Sequence, residues 1–324
     1  MRTRARGSAL LTVLWLSAAL AAIAFSLSST VRAEIDRAST EVDGLRCYYL
    51  ASAAVQRCAL ELLWSVQSPS NRLIPQGSAW MDYTFPSGIA HVEIIPEASK
   101  LDVNRAPVED LYQLLIALGI DPARSQEIAA AIDDWRRPSQ GSIFDSYYMS
   151  LTPSFRAPHA SLQEIEELLS VKGVTPDIFY GTYVPAPEGA PGSGPRLVPR
   201  GGLIDCLSVY GAHDRVDANT APPAVLAAVG LSPEAIAALV ERRTMQPFTQ
   251  DQLMGFLQSI GAPANRLRVE GNSIVTFRAT ARLTLANGQL SDLKRTVAAQ
   301  MKYLDLGSGP TIHTLRWYDT AWSH

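Results

Sequence analysis

The first thirty residues, Met1–Thr30, constrain the fold of this 324-residue chain more than any other stretch. Three arginines stand before Gly7, and the 24 residues from Ser8 to Val31 carry no charge. A helix of about 20 apolar residues is long enough to cross the hydrocarbon core of a bilayer. Residues 8–31 are therefore predicted to form a transmembrane helix, with the rest of the chain on the far side of the membrane.

Two ordinary alternatives exist for this segment. A signal peptide cut after Ala33 would have an apolar core of about 7–15 residues, and the core here is longer. A plain transmembrane anchor with its arginines in the cytoplasm accounts for the charge asymmetry. It does not account for the short, compact basic leader.

The leader Met1–Gly7, followed by Ser8-Ala9-Leu10-Leu11, resembles the leader of type IV pilin-like proteins. The resemblance implies that prepilin peptidase cleaves between Gly7 and Ser8. Pilins generally carry glutamate at mature position five, where it offsets the amine of the neighbouring subunit, and this chain has Thr12 there. A missing glutamate is typical of one class of minor pseudopilin, because a subunit at the tip of a filament has no subunit above it.

The helical pattern continues beyond the membrane segment. No proline occurs between Ser8 and Gln67, and apolar residues recur at helical spacing as far as Leu63. One continuous helix over these 60 residues would be about 90 Å long. Gly44 is a weak point near its middle. The alternative is a membrane helix followed by a separate amphipathic helix.

Alternating apolar residues predict strands near both ends of the remaining chain. The predicted strands are Trp80–Phe85, Ile89–Ile95, Ser273–Leu285, Lys294–Tyr303 and His313–Tyr318. Pro86–Gly88 and Asn287-Gly288 provide two hairpin turns. Strands early and late, with helical sequence between them, predict one antiparallel sheet that is interrupted by an insertion.

The inserted region repeats itself. Leu101–Leu111 and Val216–Leu226 share the pattern Asp-x-Asn-x-Ala-Pro, and each is followed by further helical sequence. We therefore predict two related halves, 101–183 and 213–269, joined by a loop over 184–212 that is rich in proline and glycine. The remaining parts of the predicted organisation are the leader 1–7, the helix 8–70, and sheet segments over 78–100 and 270–324.

A Gly-x-x-Pro pattern punctuates the predicted helices at Gly119, Gly173 and Gly230. Each glycine is expected to end a helix in the left-handed conformation, and the next helix is expected to begin with a capping residue and a proline. The expected capping residues are Asp121, Thr175 and Ser232.

Helix hairpins of this kind occur in DNA-binding proteins, so an anchored protein that binds DNA outside the cytoplasm is the alternative function. In such proteins a second glycine lets the backbone approach phosphate, and here the capping residues take its place. Residues 101–183 contain twelve acidic and six basic side chains, whereas DNA phosphates require clustered lysine and arginine. Nucleic acid is therefore not an expected partner.

The order of these features resembles the GspK class of type II secretion pseudopilins over most of the chain. Besides the leader, the similar segments are Asp102–Asn104, Asp133–Trp135, Tyr147-Tyr148 and Leu162–Gly173. The resemblance implies an α+β fold. A long N-terminal helix would pack on an antiparallel pilin-type sheet that is interrupted by a large helix-hairpin, or SAM-like, α-domain.

The same resemblance implies a non-enzymatic minor pseudopilin at the tip of the pseudopilus, which initiates assembly and helps protein export across the outer membrane. Its expected partners are other minor pseudopilins, prepilin peptidase and the inner-membrane assembly platform, with secreted substrates and the outer-membrane channel as further candidates. The expected location is the bacterial inner membrane, with a cytoplasmic N-terminus and a periplasmic globular part.

Some pseudopilins bind calcium in acidic loops, which makes Asp133, Asp134 and Asp145 weak candidates here. Calcium takes six to eight oxygen ligands, and Arg136 and Arg137 lie in the same loop. Carboxylates in solvent at the end of a helix are the simpler interpretation. No cofactor is therefore expected.

Other chemistry is not indicated. The five histidines lack the paired spacing of metal ligands, and there is no nucleophile elbow or phosphate-binding glycine loop. A net charge of −3 does not point to nucleic acid or to anionic lipid. Cys47 and Cys58 would lie roughly 16 Å apart along one helix, too far for a disulfide, and a bond to Cys206 stays open.

Overall fold

The N-terminal helix is one unbroken element in the computed structural model, which describes residues 6–68, 70, 73–75, 77–185, 196–269, 273–305 and 310–321. Helix α1 covers Arg6–Gln67, 62 residues, and is therefore about 93 Å long. The prediction of a continuous helix is confirmed, and the two-helix alternative is wrong. Residues 1–5 of the predicted leader lie outside the described residues.

The remaining regular elements follow α1 in chain order. They are β1 (Trp80–Phe85), β2 (Gly88–Pro96), β3 (Leu101–Asp102), α2 (Val108–Ala117), α3 (Pro122–Arg136), α4 (Asp145–Ser150), α5 (Pro176–Phe179), β4 (Thr182–Pro185), β5 (Leu197–Arg200), α6 (Leu203–Cys206), β6 (Leu207–Ser208), β7 (Val216–Asp217), α7 (Pro223–Ala228), α8 (Pro233–Met245), α9 (Gln250–Ser259), β8 (Leu267–Arg268), β9 (Ile274–Thr284), β10 (Leu290–Asp305) and β11 (Pro310–Tyr318). Short 3-10 turns cover Glu97–Ser99, Ile165–Ser170 and Ala264–Arg266.

Five strands form one sheet in the order β1-β2-β9-β10-β11, and every neighbouring pair is antiparallel. The predicted sheet is therefore confirmed. Gly288 in the β9–β10 turn has a φ of 79°, as the Asn-Gly turn requires. Strands β2 and β9 are neighbours in the sheet, and the whole insertion lies between them in sequence.

The second half of α1 packs on one face of this sheet. Side chains spaced three or four residues apart are fully buried there, among them Cys47, Ala51, Ala54, Val55 and Cys58. All of these except Cys47 form one apolar cluster with sheet residues such as Val92, Phe277 and Val297. A fully buried valine or phenylalanine contributes about 1.5–3 kcal/mol, so packing on the sheet holds this part of the helix in place.

The two halves of the insertion share the same asparagine contact. Asn104 accepts a hydrogen bond from the Leu162 amide at 2.7 Å and donates to the Leu162 carbonyl at 2.9 Å. Asn219 makes both bonds with Phe248, at 2.7 and 3.0 Å. In each half the asparagine therefore fastens the loop after the short strand to the segment that closes the half.

An arginine near the end of the second helix makes equivalent hydrogen bonds to backbone carbonyls in both halves. Arg136 donates to the carbonyls of Val103 and Ala106, both at 2.7 Å. Arg243 donates to the carbonyls of Ala218 at 3.0 Å and Ala221 at 2.8 Å. These buried bonds satisfy carbonyl groups that no strand or helix pairs.

The residues at the helix ends follow the predicted Gly-x-x-Pro pattern at most positions. Gly119, Gly173 and Gly230 have φ values of 76°, 85° and 95°. Asp121 and Ser232 cap α3 and α8 through their side chains. Thr175 precedes α5 but makes no capping bond, because its hydroxyl donates instead to the Asp177 carboxylate.

The loop predicted over 184–212 is wrong in its second part, where β5, α6 and β6 lie. Strand β5 pairs with β4, and α6 contributes Leu203, Ile204 and Cys206 to the core of the insertion. Gly202 approaches Phe179 so closely that an added Cβ would lie 2.3 Å from the Phe179 carbonyl oxygen. Residues 186–195 of the predicted loop lie outside the described residues.

The leucine-rich segment 162–173 also differs from a regular helix. It forms only the 3-10 turn Ile165–Ser170, whose first turn is tied by hydrogen bonds between Glu164 and Glu167. Glu164 and Glu166 both accept bonds from Arg316 of β11, at 3.0 and 3.1 Å. These contacts with the sheet favour the tighter turn.

Candidate functional site

The N-terminal part of α1 presents an apolar surface that the rest of the chain does not cover. Every described side chain from Ala9 to Val42 is exposed, including Leu10, Leu14, Trp15, Ile23 and Phe25. Among the described residues, α1 alone is long and apolar enough to cross a membrane. An apolar surface of this size fits a membrane anchor or a contact with other apolar helices.

Hydroxyl groups in this apolar half are bonded within the helix itself. Thr12 Oγ1 donates to the Ala9 carbonyl at 3.1 Å, and Ser17 and Ser29 donate to carbonyls three residues earlier at 2.9 and 2.8 Å. A polar side chain that bonds to its own helix can enter lipid at low cost. Thr12 therefore fits an apolar environment in which an ionised glutamate would need a partner charge.

The predicted cleavage position lies in the first turn of α1. The backbones of Gly7 and Ser8 belong to the helix, which begins at Arg6. The side chain of Ser8 lies outside the described residues. Cleavage between Gly7 and Ser8 stays a prediction.

The three candidate calcium ligands do not converge on one point. Asp133 is paired with Arg136 at 2.8 Å and with Arg137 at 2.9 Å, and its side chain is 14% exposed. Asp134 and Asp145 lie instead beside His159. The interpretation of these residues as carboxylates in solvent is therefore wrong. Within the described part of the chain, no group of three or more metal-binding side chains is found.

His159 was not singled out by the sequence, and it joins two of these carboxylate residues. Its Nδ1 lies 3.1 Å from the Asp134 carbonyl, and its Nε2 lies 3.1 Å from Asp145 Oδ1. The imidazole is 10% exposed, and the residue has a φ of 46°. No pattern in the sequence places His159 near the acidic loop, because the contact is made across the fold.

The surroundings of His159 favour its charged form. Both ring nitrogens face oxygens that can only accept, so a neutral ring would turn one lone pair toward an oxygen. Burial lowers the pKa of His159, but the Asp134 carbonyl, the Asp145 hydrogen bond and both carboxylates outweigh it. The pKa therefore lies above its usual value, and the imidazolium provides the positive charge between the two aspartates.

Ion pairs and hydrogen bonds connect the insertion to the sheet. Arg278 of β9, buried to 6% exposure, donates to Glu93 at 2.9 Å and to Asp205 of α6 at 3.3 Å. Lys100 donates to the Ile204 carbonyl at 3.1 Å. Removing one partner from such a buried pair is costly, so these contacts fix the insertion on the sheet.

Comparison with known proteins finds a similarity to one protein family. The family model described as "Type II secretion system (T2SS), protein K" matches residues 93–181, from β2 to the end of α5. A type II secretion system protein K of Klebsiella pneumoniae is 25% identical over 205 residues, 55% of this chain. Residues 93–181 of this chain are therefore similar to the type II secretion protein K family.

Other protein K sequences and structures are also similar. The protein K of Pectobacterium carotovorum subsp. carotovorum is 25% identical over 207 residues. The chain spans 61% of the length of both protein K relatives. The crystal structure of the GspK-GspI-GspJ complex from enterotoxigenic Escherichia coli aligns with a TM-score of 0.45 and 15% identity, covering 84% of this chain and 99% of that chain.

Proposed function

We propose that this chain is a minor pseudopilin of a type II secretion system and acts in assembly, without catalysis. The observation that carries the proposal is the division of α1: its first part is apolar and fully exposed, and its second part is packed on an antiparallel sheet. Such a helix anchors a globular part at a membrane and also offers an apolar surface to other helices. The match of residues 93–181 to the protein K family supports the same role.

The direction of insertion follows from charge. Arg2, Arg4 and Arg6 precede the apolar segment, and positive residues stay on the cytoplasmic side. The sheet and the insertion then lie on the periplasmic side of the inner membrane. The alternative of an anchored DNA-binding protein has no support from the comparisons, which name secretion proteins.

The tip position is proposed from Thr12. An uncharged residue at mature position five suits a subunit with no neighbour above it whose amine would need an offsetting charge. The partners proposed are other minor pseudopilins, prepilin peptidase and the inner-membrane assembly platform. Secreted substrates and the outer-membrane channel are further proposed contacts.

We further propose that the loop with Asp133, Asp134 and Asp145 keeps its structure without bound calcium. Asp133 is already neutralised by Arg136 and Arg137, and Asp145 by His159. A calcium ion would have to displace these groups and still find six or more oxygen ligands.

N-terminal sequencing of the full chain tests the proposal. In cells that contain prepilin peptidase we expect a mature start at Ser8, and in cells without the peptidase an uncut chain. Gly7→Val should abolish the cut, whereas Ala33→Val, which would disturb a signal peptidase site, should leave it unchanged. A mature start at Glu34 would contradict the pilin-type leader.

Assembly is tested separately by co-purification with candidate minor pseudopilins and by complementation of secretion in a strain that lacks its own protein K. We expect a complex of several subunits and restored secretion. A correctly processed chain that restored neither would contradict the assembly role and leave the leader assignment intact.

A further inference from the structure

A cleft of about 540 Å³ lies where the chain leaves the sheet and where it returns. One wall is the turn Glu97–Ser99, which follows β2 directly, and another is the segment 210–215. Arg268 of β8 and the start of β9 complete it. The cleft therefore touches both connections between the sheet and the insertion.

Two arginines in this cleft have no ion-pair partner among the residues that the structure describes. Arg268 Nε is buried and makes no hydrogen bond. Arg268 and Arg215 form no ion pair with any carboxylate in the described part of the chain, whereas Arg266, Arg278 and Arg316 each do. A buried guanidinium N–H without an acceptor is costly, because the desolvation of that group is not compensated.

The carboxylates nearby are engaged elsewhere or lie on the rim. Glu97 accepts from the Thr276 hydroxyl at 2.5 Å and lies 3.7 Å from the Lys100 ammonium. The only other acidic group that lines the cleft, within the described residues, is the exposed Asp214. His213 is held by Asp102 at 2.8 Å. Glu97 is thus offset by Lys100, and the two arginines face a single further carboxylate, Asp214, among the described residues that line the cleft.

We infer that this cleft binds an oxyanion, either a carboxylate or a phosphate group. The planar guanidinium of Arg268 can donate to two oxygens of such a group, and Arg215 adds a second positive charge at the entrance. A bound oxyanion would connect the return strand of the insertion with the segment 210–215. It would therefore stiffen the junction between the insertion and the sheet.

Thermal unfolding of the full chain in detergent, followed by tryptophan fluorescence, tests this site. Inorganic phosphate is the first probe and glutarate the second, each titrated at constant ionic strength against sodium chloride. We expect a saturable rise in Tm of about 4 °C once the anion exceeds its dissociation constant a hundredfold. A larger rise with phosphate would assign a phosphate-bearing ligand, and a larger rise with glutarate a carboxylate.

The variants separate the site from general charge effects. Arg268→Gln should abolish the rise, measured from the Tm of the variant itself, and the exposed Arg215→Gln should reduce it without affecting folding. Arg156→Gln removes the same charge from an exposed arginine outside the cleft and should leave the rise unchanged. Amide exchange in 210–215 and 267–269 should slow when the anion is bound. The inference is overturned if neither probe raises Tm, or if Arg268→Gln responds like the parent chain.

Discussion

His159 offers the sharpest test of the structure, because its charge holds two parts of the insertion together. His159→Gln removes the imidazolium that contacts the Asp134 carbonyl and Asp145. A hydrogen bond to a charged group contributes about 1.5–3 kcal/mol. Asp145 is 20% exposed, so water partly replaces the lost partner, and the lower part of this range applies. We expect a loss of about 2 kcal/mol in the free energy of unfolding.

The pH dependence gives the direction independently of the magnitude. The pKa of His159 is raised in the folded chain, so protonation stabilises the fold. This stabilisation is complete below the unfolded pKa of about 6.5 and is lost as pH rises through the folded pKa. The difference between the parent chain and His159→Gln should therefore be largest in acid and shrink as pH rises.

Urea unfolding at a series of pH values, followed by tryptophan fluorescence, measures both effects. His313→Gln is the matched control, because His313 is exposed on β11 and its stability effect should be close to zero at every pH. Asp145→Asn should lower the pKa of His159, which NMR of the ring protons reports. A constant difference across the pH range, or a His159 pKa that Asp145→Asn does not lower, would refute this reasoning.

Four further predictions concern other parts of the chain. Arg136→Met leaves two buried carbonyls without their donor and Asp133 with only the exposed Arg137 as a partner, so urea unfolding should show a loss of about 3 kcal/mol. Arg137→Met removes only an exposed ion pair with the same aspartate and should cost less than about 1 kcal/mol. Equal losses would argue against the role of the buried Arg136 contacts. Gly202→Ala should destabilise by about 3 kcal/mol because its Cβ meets backbone atoms, whereas Gly119→Ala, with open space but a φ of 76°, should cost about 1 kcal/mol in the same assay. Addition of EDTA should leave Tm unchanged, and a fall in Tm would show that the acidic loop needs a metal. Thr12→Glu should cost about 3 kcal/mol in the bilayer and reduce pseudopilus assembly, as scored by immunoblotting of sheared filaments; unchanged assembly would remove the support for the tip position.

Elements with strong periodicity could be predicted from the sequence. Strand β1 begins and ends at the predicted residues. Helix α1 begins two residues before the predicted start at Ser8 and ends at Gln67, three residues before the predicted bound at residue 70. In both, the apolar period of the sequence matches the face that is buried against a single neighbour. Local patterns suffice where one contact surface decides the structure.

The predictions were wrong or incomplete where contacts between residues far apart in the sequence determine the structure. Residues 197–208 are predicted as a loop because proline and glycine dominate the preceding stretch. The apolar residues on either side of Asp205, which are Leu203, Ile204, Cys206 and Leu207, were a signal of burial. The pairing of Asp145 with His159 is made across the fold, and no spacing in the sequence encodes it. The pair of Asp133 with Arg136 is different, because the two residues lie three positions apart on α3. The repeat is visible in the sequence. The arginine and asparagine contacts that the two halves share are not, because they form only when each half folds.

The position of the insertion between two adjacent strands has a consequence for folding order. Pro96 at the end of β2 lies opposite Val275 near the start of β9, so this pairing must close a loop that contains the entire insertion. The entropic cost of closing a loop grows with the logarithm of its length. If the insertion is already compact, its two ends are held together and closure costs about 2–3 kcal/mol less than for an extended chain of the same length. The two halves of the insertion are built largely from local helix contacts, so the insertion is expected to fold first. The pairing of β2 with β9 then completes the sheet. Helix α1 can pack on the sheet only after that step.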